Sequence, residues 1–579
     1  MKKLLLTNLL TVVLMTAFPL VPMRAQFTQV TPVSQMERLD RGLIVIPCGG
    51  KHYVSWRLLG TDDMQTSFDI VRNGATVAAG ITGATFLELD DAGSSASYQV
   101  KTYQNGVLTE TSSAVKPWAQ SYLRLKLDQP SKTSTDAVLK DSTYHYTPND
   151  CSVGDVDGDG QYELIVKWYP TNAKDNSQSG YTGYTYFDCY KIDPSVADGC
   201  RRLWRIDLGK NMRSGAHYNQ FLIYDFDSDG KAELMCKTAP GSIDGQGNYV
   251  SAAATNTSIR NVDNTADYRV SGGRINGGHE YLTVFNGKTG AAIHTIPYLP
   301  TRNAAIELSD AAGTVNWYIN GTGGTAGNDR GNYGNRAERY LATVAHLDGA
   351  GQNPSAVFTR GYYTYAFLWA VDFDGTKLSN KWIHYSESFT KYHVYTPKAS
   401  DNSSFDKVTY TCSSNKMKES PYSEYANNGC TAFAQGTHSI AAGDTDGDGK
   451  DEIMFGGAAI NADGTLRYST GVQHGDAHHL SDLDPDRPGL EFFMVHEDGP
   501  NYGHHLRDAS TGEILDFSTS GGDNGRGLSA DIFPQKRGFE YWSAKVDNIH
   551  FMDGTTMSWK GVIVNDIINF LINFEISKI

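Results

Sequence analysis

The strongest constraint on this chain is a ten-residue pattern that recurs three times: Gly154-Asp-Val-Asp-Gly-Asp-Gly-Gln-Tyr-Glu163, Tyr224-Asp-Phe-Asp-Ser-Asp-Gly-Lys-Ala-Glu233 and Gly443-Asp-Thr-Asp-Gly-Asp-Gly-Lys-Asp-Glu452. Counting from the first Asp, carboxylates at positions 1, 3, 5 and 9 gather oxygens around one point, and the Gly at position 6 allows the sharp turn this requires. The sets are Asp155, Asp157, Asp159 and Glu163; Asp225, Asp227, Asp229 and Glu233; and Asp444, Asp446, Asp448 and Glu452. Hard oxygens in a flexible array favour Ca2+ over Mg2+ or Zn2+. Flanking helices and a Glu at position 12 are missing, so the pattern is not an EF-hand. One copy alone could be a metal-free turn closing a hairpin; three copies point to calcium with a structural role.

Each copy runs into a β-rich segment: Leu164-Ile-Val-Lys-Trp168, Leu234-Met-Cys-Lys237 and Ile453-Met-Phe455. Fainter echoes begin at Asp372, Asp482 and Asp531. Asp444, Asp482 and Asp531 fall at the ~40–50-residue spacing of propeller blades. Long helical periodicity is absent. The expected fold is therefore all-β, with a calcium-stapled β-propeller over residues 131–560.

Residues 26–130 read as a small N-terminal β-sandwich of the fibronectin or immunoglobulin sort. Short runs such as Tyr53-Val-Ser-Trp-Arg-Leu58 and Tyr98-Gln-Val-Lys-Thr-Tyr103 are separated by turn signals, Asn73-Gly74 and Asn105-Gly106 among them. Ahead of it, Lys2 and Lys3 precede an apolar run to Val21 and a small residue at Ala25, the pattern of a signal peptide over 1–25. The expected location is secreted or periplasmic, with no membrane association beyond that peptide. Export permits disulfides; among the seven Cys, Cys189/Cys200 and Cys412/Cys430 are near enough to pair, and spacing leaves the pairing open. A net charge of −15 argues against nucleic acid as a partner. A monomer is expected.

The stretches between the loops carry a resemblance. They include Asn149-Asp-Cys-Ser-Val-Gly154, Lys167-Trp-Tyr-Pro170, Lys174-Asp-Asn-Ser177, Lys237-Thr-Ala-Pro-Gly241, Glu280-Tyr-Leu-Thr-Val-Phe285, Tyr333-Gly-Asn-Arg336, Arg360-Gly-Tyr-Tyr363, His474-Gly-Asp-Ala477 and Asp482-Leu-Asp-Pro-Asp-Arg-Pro-Gly-Leu-Glu491. In this order, from about Arg41 to about Ser543, they resemble the rhamnogalacturonan lyases of polysaccharide lyase family 11. That resemblance implies an N-terminal β-domain, an eight-bladed propeller with several Ca2+, and cleavage of the rhamnose–galacturonate backbone of rhamnogalacturonan I in pectin by β-elimination.

The resemblance also implies site roles. Asn149, Tyr169, Asn332 and Arg336 would meet the sugar. His438, His474 and Asp476 correspond to positions at a metal near the cleft; Ca2+ prefers oxygen, so for the two His a direct or water-mediated polar role stands beside ligation. Arg526, in Gly522-Asp-Asn-Gly-Arg-Gly527, would bind the uronate carboxylate. With His438 and His474 it forms the expected catalytic set. Two departures stand out. Tyr169 replaces an Asp usual in the family. The tail 561–579 is apolar and rich in Asn and Ile, without the family's Asn-Gly-Thr-Lys stretch, which suggests an incomplete propeller and a truncated or frame-altered end. A catalytically impaired paralogue or a non-catalytic pectin-binding calcium propeller is the alternative reading; an integrin-like adhesion propeller would share the loops but not the ordered cleft motifs.

Overall fold

The computed structural model describes residues 37–558, apart from 64, 134, 176–177, 271, 276, 301–337, 414–429, 498–501 and 534. Residues 1–25, read above as a signal peptide, Asn332, Arg336 and the tail 561–579 lie outside the described residues. Among the described residues helix is confined to one turn, Thr257–Arg260, and a 3-10 turn, Val250–Ala253. Among the described residues no helix is long and apolar enough to cross a membrane. The fold is all-β.

The N-terminal part is two antiparallel sheets. One contains Ile44–Cys48, Lys51–Ser55 and Phe86–Asp90; the other contains Ala75–Ile81, Ser67–Arg72, Tyr98–Gln104 and Val107–Thr111. Period-two burial, as at Phe68 and Ile70 and at Tyr98 and Val100, turns one face of each inward around Val54 and Trp56. The turns Asn73-Gly74 and Asn105-Gly106 both have positive φ at each residue, the type I′ geometry that closes two-residue hairpins.

Six antiparallel meanders follow. The first contains Tyr146–Gly154, Glu163–Pro170, Tyr186–Ile192 and Cys200–Asp207; the second Phe221–Tyr224, Glu233–Thr238, Tyr281–Phe285 and Ala292–Pro297. The third runs from Ala342–Ala345 to Asp401–Thr411 through six strands, and the fourth from Ala441–Gly443 to Leu466–Ser469. The fifth contains His478–Ser481, Glu491–His496, Gly503–Asp508 and Ile514–Thr519; the sixth Gly527–Ala530, Glu540–Ser543, Val546–Phe551 and Thr556–Ser558. Consecutive sheets pack face to face. Ile165 and Phe187 meet Leu234 and Phe285 between the first two; Leu282 and Val284 meet Phe358 and Trp369 between the next two; Phe493 and Val495 meet Tyr541 between the last two. Sheets covered on both faces explain why inner strands such as Glu233–Thr238 and Glu491–His496 are buried at every residue. Truncating the fully buried Trp369 to Ala would cost ~3–5 kcal/mol.

The leading strands of neighbouring sheets lie side by side: first with second, second with third, third with fourth, and fifth with sixth. A parallel bridge, Thr437 to Gly475, joins the chain just ahead of the fourth and fifth. Their N-terminal ends therefore gather on one side of the molecule and their C-terminal ends on the other.

The sheet pattern runs through the region expected to be β-rich as far as Ser558, Val546–Phe551 and Thr556–Ser558 completing the sixth meander. The echo at Asp372 is no oxygen cradle: Asp374 accepts the N–H groups of Thr376 and Lys377, both at 2.9 Å, and caps a hairpin turn. Cys412 and Cys430 form a disulfide, whereas Cys189 and Cys200 are free thiols on adjacent strands.

Candidate functional site

Two sets of polar residues occupy opposite ends of the leading strands. At the C-terminal ends stand the acidic loops, Asp155 directly after Gly154, Asp225 after Tyr224 and Asp444 after Gly443, with Asp482 and Asp531 in the same place on the fifth and sixth sheets. All five loops share one clamp. The Glu side chain accepts, through Oε2, the N–H of the residue after the first Asp: Val156 to Glu163, Phe226 to Glu233, Thr445 to Glu452 and Leu483 to Glu491 at 3.0 Å each, and Ile532 to Glu540 at 2.8 Å. The first Asp of each strong loop also caps the turn, taking the N–H of Gly160, Gly230 or Gly449. Loop shape is thus fixed by hydrogen bonds internal to the chain.

Charge balance separates the strong loops. In the first, the Lys191 ammonium sits among the acids, 2.6 Å from Asp159, 2.7 Å from Glu163 and 3.1 Å from Asp157. In the third, Arg467 lies 2.9 Å from Asp446 and 3.8 Å from Glu452. In the second, Lys231 pairs with Asp229 at the exposed rim. Burial and the charges of Asp227, Asp225 and Asp229 push the Glu233 carboxyl up to about 9, against the pull of its bond from Phe226. Asp225, Asp227 and Asp229 each offer an oxygen within 4.8 Å of the others. The same convergence holds for Asp155, Asp157 and Glu163 and for Asp444, Asp446 and Glu452, so all three strong loops fit a divalent cation; in the second it would relieve a repulsion that Lys191 and Arg467 offset in the other two.

At the N-terminal ends lies the cleft cluster. His217 precedes Phe221, Arg339 precedes Ala342, His438 precedes Ala441, His474 and Asp476 precede His478, and Arg526 precedes Gly527. The strand packing alone brings these distant positions together. His438, His474, Asp476 and Glu497 each offer a ligand atom within 4.8 Å of the rest. His474 Nδ1 donates to the Gly436 carbonyl at 2.5 Å, which leaves a lone pair on Nε2. That atom faces Glu497 Oε2 at 3.2 Å and Asp476 Oδ1 at 3.9 Å. A proton on Nε2 or a cation between these atoms would reconcile them, and the four side chains fit a metal ion. His438 Nε2 meets the Tyr363 hydroxyl at 3.0 Å and Asp476 Oδ1 at 3.2 Å. Arg526, 58 % exposed, donates to Asp476 Oδ2 at 2.8 Å.

Burial holds both His438 and His217 well below the ordinary imidazole range; the Asp476 charge opposes this at His438, and Arg339 reinforces it at His217. Burial, with the charge of Glu497, raises the Asp476 carboxyl. The imidazoles are consequently neutral at neutral pH, available as ligands or proton acceptors.

The structure thus brings together His438, His474, Asp476 and Arg526. Asn149 lies half-buried at a bulge in the leading strand of the first sheet. The Tyr169 hydroxyl donates to the Gly215 carbonyl, in the turn that carries His217, and so supports the rim from behind. The sequence reading missed His217, Arg339 and Glu497. Arg339 lies 3.0 Å from Asp175 and over the Tyr363 ring; its nearness to the Tyr333–Arg336 stretch is the one local signal that could have found it.

The family model for the C-terminal domain of rhamnogalacturonan lyase family 11 matches residues 122–409 and 406–577, so it extends into the tail set apart above. The model for the rhamnogalacturonan I lyases beta-sheet domain matches residues 34–118. Among curated proteins, the chain is 40 % identical to the rhamnogalacturonan endolyase YesW of Bacillus subtilis (strain 168), over 97 % of this chain and 77 % of the relative. It is 39 % identical to the rhamnogalacturonan exolyase YesX of the same organism, over 94 % and 76 %. The solved structure of the Bacillus licheniformis rhamnogalacturonan lyase PL11 superposes with a TM-score of 0.71 at 40 % identity, covering 91 % of this chain and 76 % of that one. The chain belongs to rhamnogalacturonan lyase family 11.

Proposed function

We propose that this chain is a secreted, endo-acting lyase that cuts the rhamnose–galacturonate backbone of pectin by calcium-assisted β-elimination. The observation that carries the reading is the cleft cluster, where neutral imidazoles, paired carboxylates and the exposed Arg526 meet at the strand ends. Arg526 holds the uronate carboxylate. His438 accepts the proton from C5, whose electron pair forms the C4–C5 double bond as the C4–oxygen bond breaks. The Tyr363 hydroxyl, in contact with His438, donates a proton to the departing oxygen. A divalent cation held by His474, Asp476 and Glu497 would supply positive charge against the developing enediolate and leave the His438 imidazole to take the proton. His217 and Arg339 keep Tyr362 and Asp175 in place around this centre.

The same reading takes the face-to-face meanders and side-by-side leading strands as part of a propeller ring, and Ca2+ as the ion of the second acidic loop. Internal cutting agrees with the open setting of Arg526. The test is the ultraviolet absorbance of the unsaturated uronate product on rhamnogalacturonan I with calcium supplied. His438→Asn should lower kcat ~10²–10⁴-fold and Arg526→Gln ~10²–10³-fold. Absence of product, with polymer still bound, would replace this reading with a pectin-binding relative. Release of only the smallest product from the first turnovers would overturn the endo assignment.

A further inference from the structure

A second convergence of donor side chains, made of other residues than the cleft set, lies between the fifth and sixth sheets. His504 comes from the strand Gly503–Asp508, Asp516 from Ile514–Thr519 and His550 from Val546–Phe551; each offers one ligand atom, and the three lie within 4.8 Å of one another. Both imidazoles are buried, His504 at 0 % and His550 at 7 % exposure. His504 turns Nδ1 to a hydroxyl, whereas His550 turns Nδ1 to the third donor. His504 Nδ1 meets Ser543 Oγ at 2.8 Å, and His550 Nδ1 meets Asp516 Oδ2 at 3.2 Å. Among the described residues the two Nε2 atoms have no hydrogen-bond partner.

A buried polar nitrogen left in that state costs ~1–3 kcal/mol, and here two occur on rings whose centroids are 4.9 Å apart and nearly perpendicular. His504 shows the division of a metal-binding imidazole, Nδ1 held by a hydroxyl and the Nε2 lone pair left for an ion. The supports are themselves anchored. The Tyr541 hydroxyl donates to Asp516 Oδ2 at 3.0 Å, and Asn524 Nδ2 donates to Ser543 Oγ at 2.8 Å.

We propose that His504, Asp516 and His550 bind a borderline divalent cation of the zinc class and thereby staple the fifth sheet to the sixth. Two nitrogens and one carboxylate oxygen are the donors such ions select, with water in the fourth position, whereas Ca2+ requires more oxygens than this site offers. Bonds of ~2.1 Å place tetrahedral donors about 3.4 Å apart, close to the 3.2 Å between His550 Nδ1 and Asp516 Oδ2, which makes these two atoms and His504 Nε2 the donor set. Two of the three donors come from the fifth sheet and one from the sixth. The ion would therefore tie the last pair of sheets across the contact of Phe493 and Val495 with Tyr541.

The probe is Co2+, titrated into the full chain after chelation and resupply of excess Ca2+. The cleft also has two His, so the titration is run in the His438→Asn/His474→Asn background. One equivalent of Co2+ should give the intense visible absorption of a four-coordinate ion and be displaced by Zn2+. His550→Gln should abolish it, and Tyr541→Phe should weaken binding ~10–100-fold. Zn2+ should raise Tm in the background protein and leave it unchanged after His550→Gln. No visible band, or a band that survives His550→Gln, overturns the site. If His550→Gln does not fold, X-ray absorption of the Zn2+-loaded background protein decides: imidazole scattering supports the proposal and an all-oxygen shell overturns it.

Discussion

The first and second acidic loops share the same Asp, Gly and Glu spacing, the same clamp from Glu to backbone and the same place after a leading strand. They differ in what meets the carboxylates. The first encloses the Lys191 ammonium; the second keeps its Lys at an exposed rim and leaves Glu233 crowded by acids. The repeated motif therefore specifies the shape of a cradle, while its charge balance comes from elsewhere in the sheet, here from a lysine on the third strand. Two loops indistinguishable in pattern need not depend equally on calcium.

The contrast is broken most forcefully at Lys191. Its replacement by Met leaves the fully buried Glu163 side chain beside Asp157 with no counter-charge, and breaking a buried pair costs ~3–5 kcal/mol. The expected loss appears in urea unfolding with chelator present and is reduced when calcium is restored, because the ion can then take the place of the ammonium. A loss under ~1 kcal/mol in chelator would mean that Lys191 is a surface pair and that the two loops are alike.

Next in size is calcium itself. An ion that binds only the folded state adds about 2.7 kcal/mol at a hundredfold excess over Kd. Asp227→Asn should remove most of the wild-type shift in Tm between calcium and chelator, and Asp157→Asn little of it. Equal effects would place the first loop among the calcium sites after all. A smaller signature follows from Glu233. Its carboxyl in the calcium-free fold is raised to about 9, above that of the unfolded chain, so the folded state holds more protons. Stability is then full near pH 4.5 and declines as pH rises toward 9. Glu233→Gln should flatten that decline in chelator; an unchanged slope would assign it to other groups.

The same contrast explains what could be read from the chain beforehand. The loops were legible because their ligands lie within ten residues, and the hairpins Asn73-Gly74 and Asn105-Gly106 because a turn is a local event. Lys191 was not, since it reaches Asp159 and Glu163 only through pairing of the strands Glu163–Pro170 and Tyr186–Ile192. The cleft behaves likewise. His438, His474, Asp476 and Arg526 could be named only through resemblance, and His217, Arg339 and Glu497 escaped because strand-end packing, not spacing, brings them together. Tyr169, named through the same resemblance, has its hydroxyl bonded to Gly215, a contact that strand packing and not spacing creates.

The smallest effect belongs to Lys231, and it makes the contrast quantitative. This ammonium lies 2.8 Å from Asp229, as near as Lys191 lies to its partners, but both side chains are more than two-fifths exposed. Water already solvates the two charges, so the pair is worth only ~0–1 kcal/mol. Lys231→Met should shift the urea midpoint barely at all in chelator, and should slightly tighten calcium binding by removing a competing positive charge. The comparison with Lys191→Met sets a largely buried lysine with three carboxylate partners against an exposed one with a single Asp at a similar distance. If the two substitutions cost the same, the difference between the loops lies in their backbone and not in where the lysine sits.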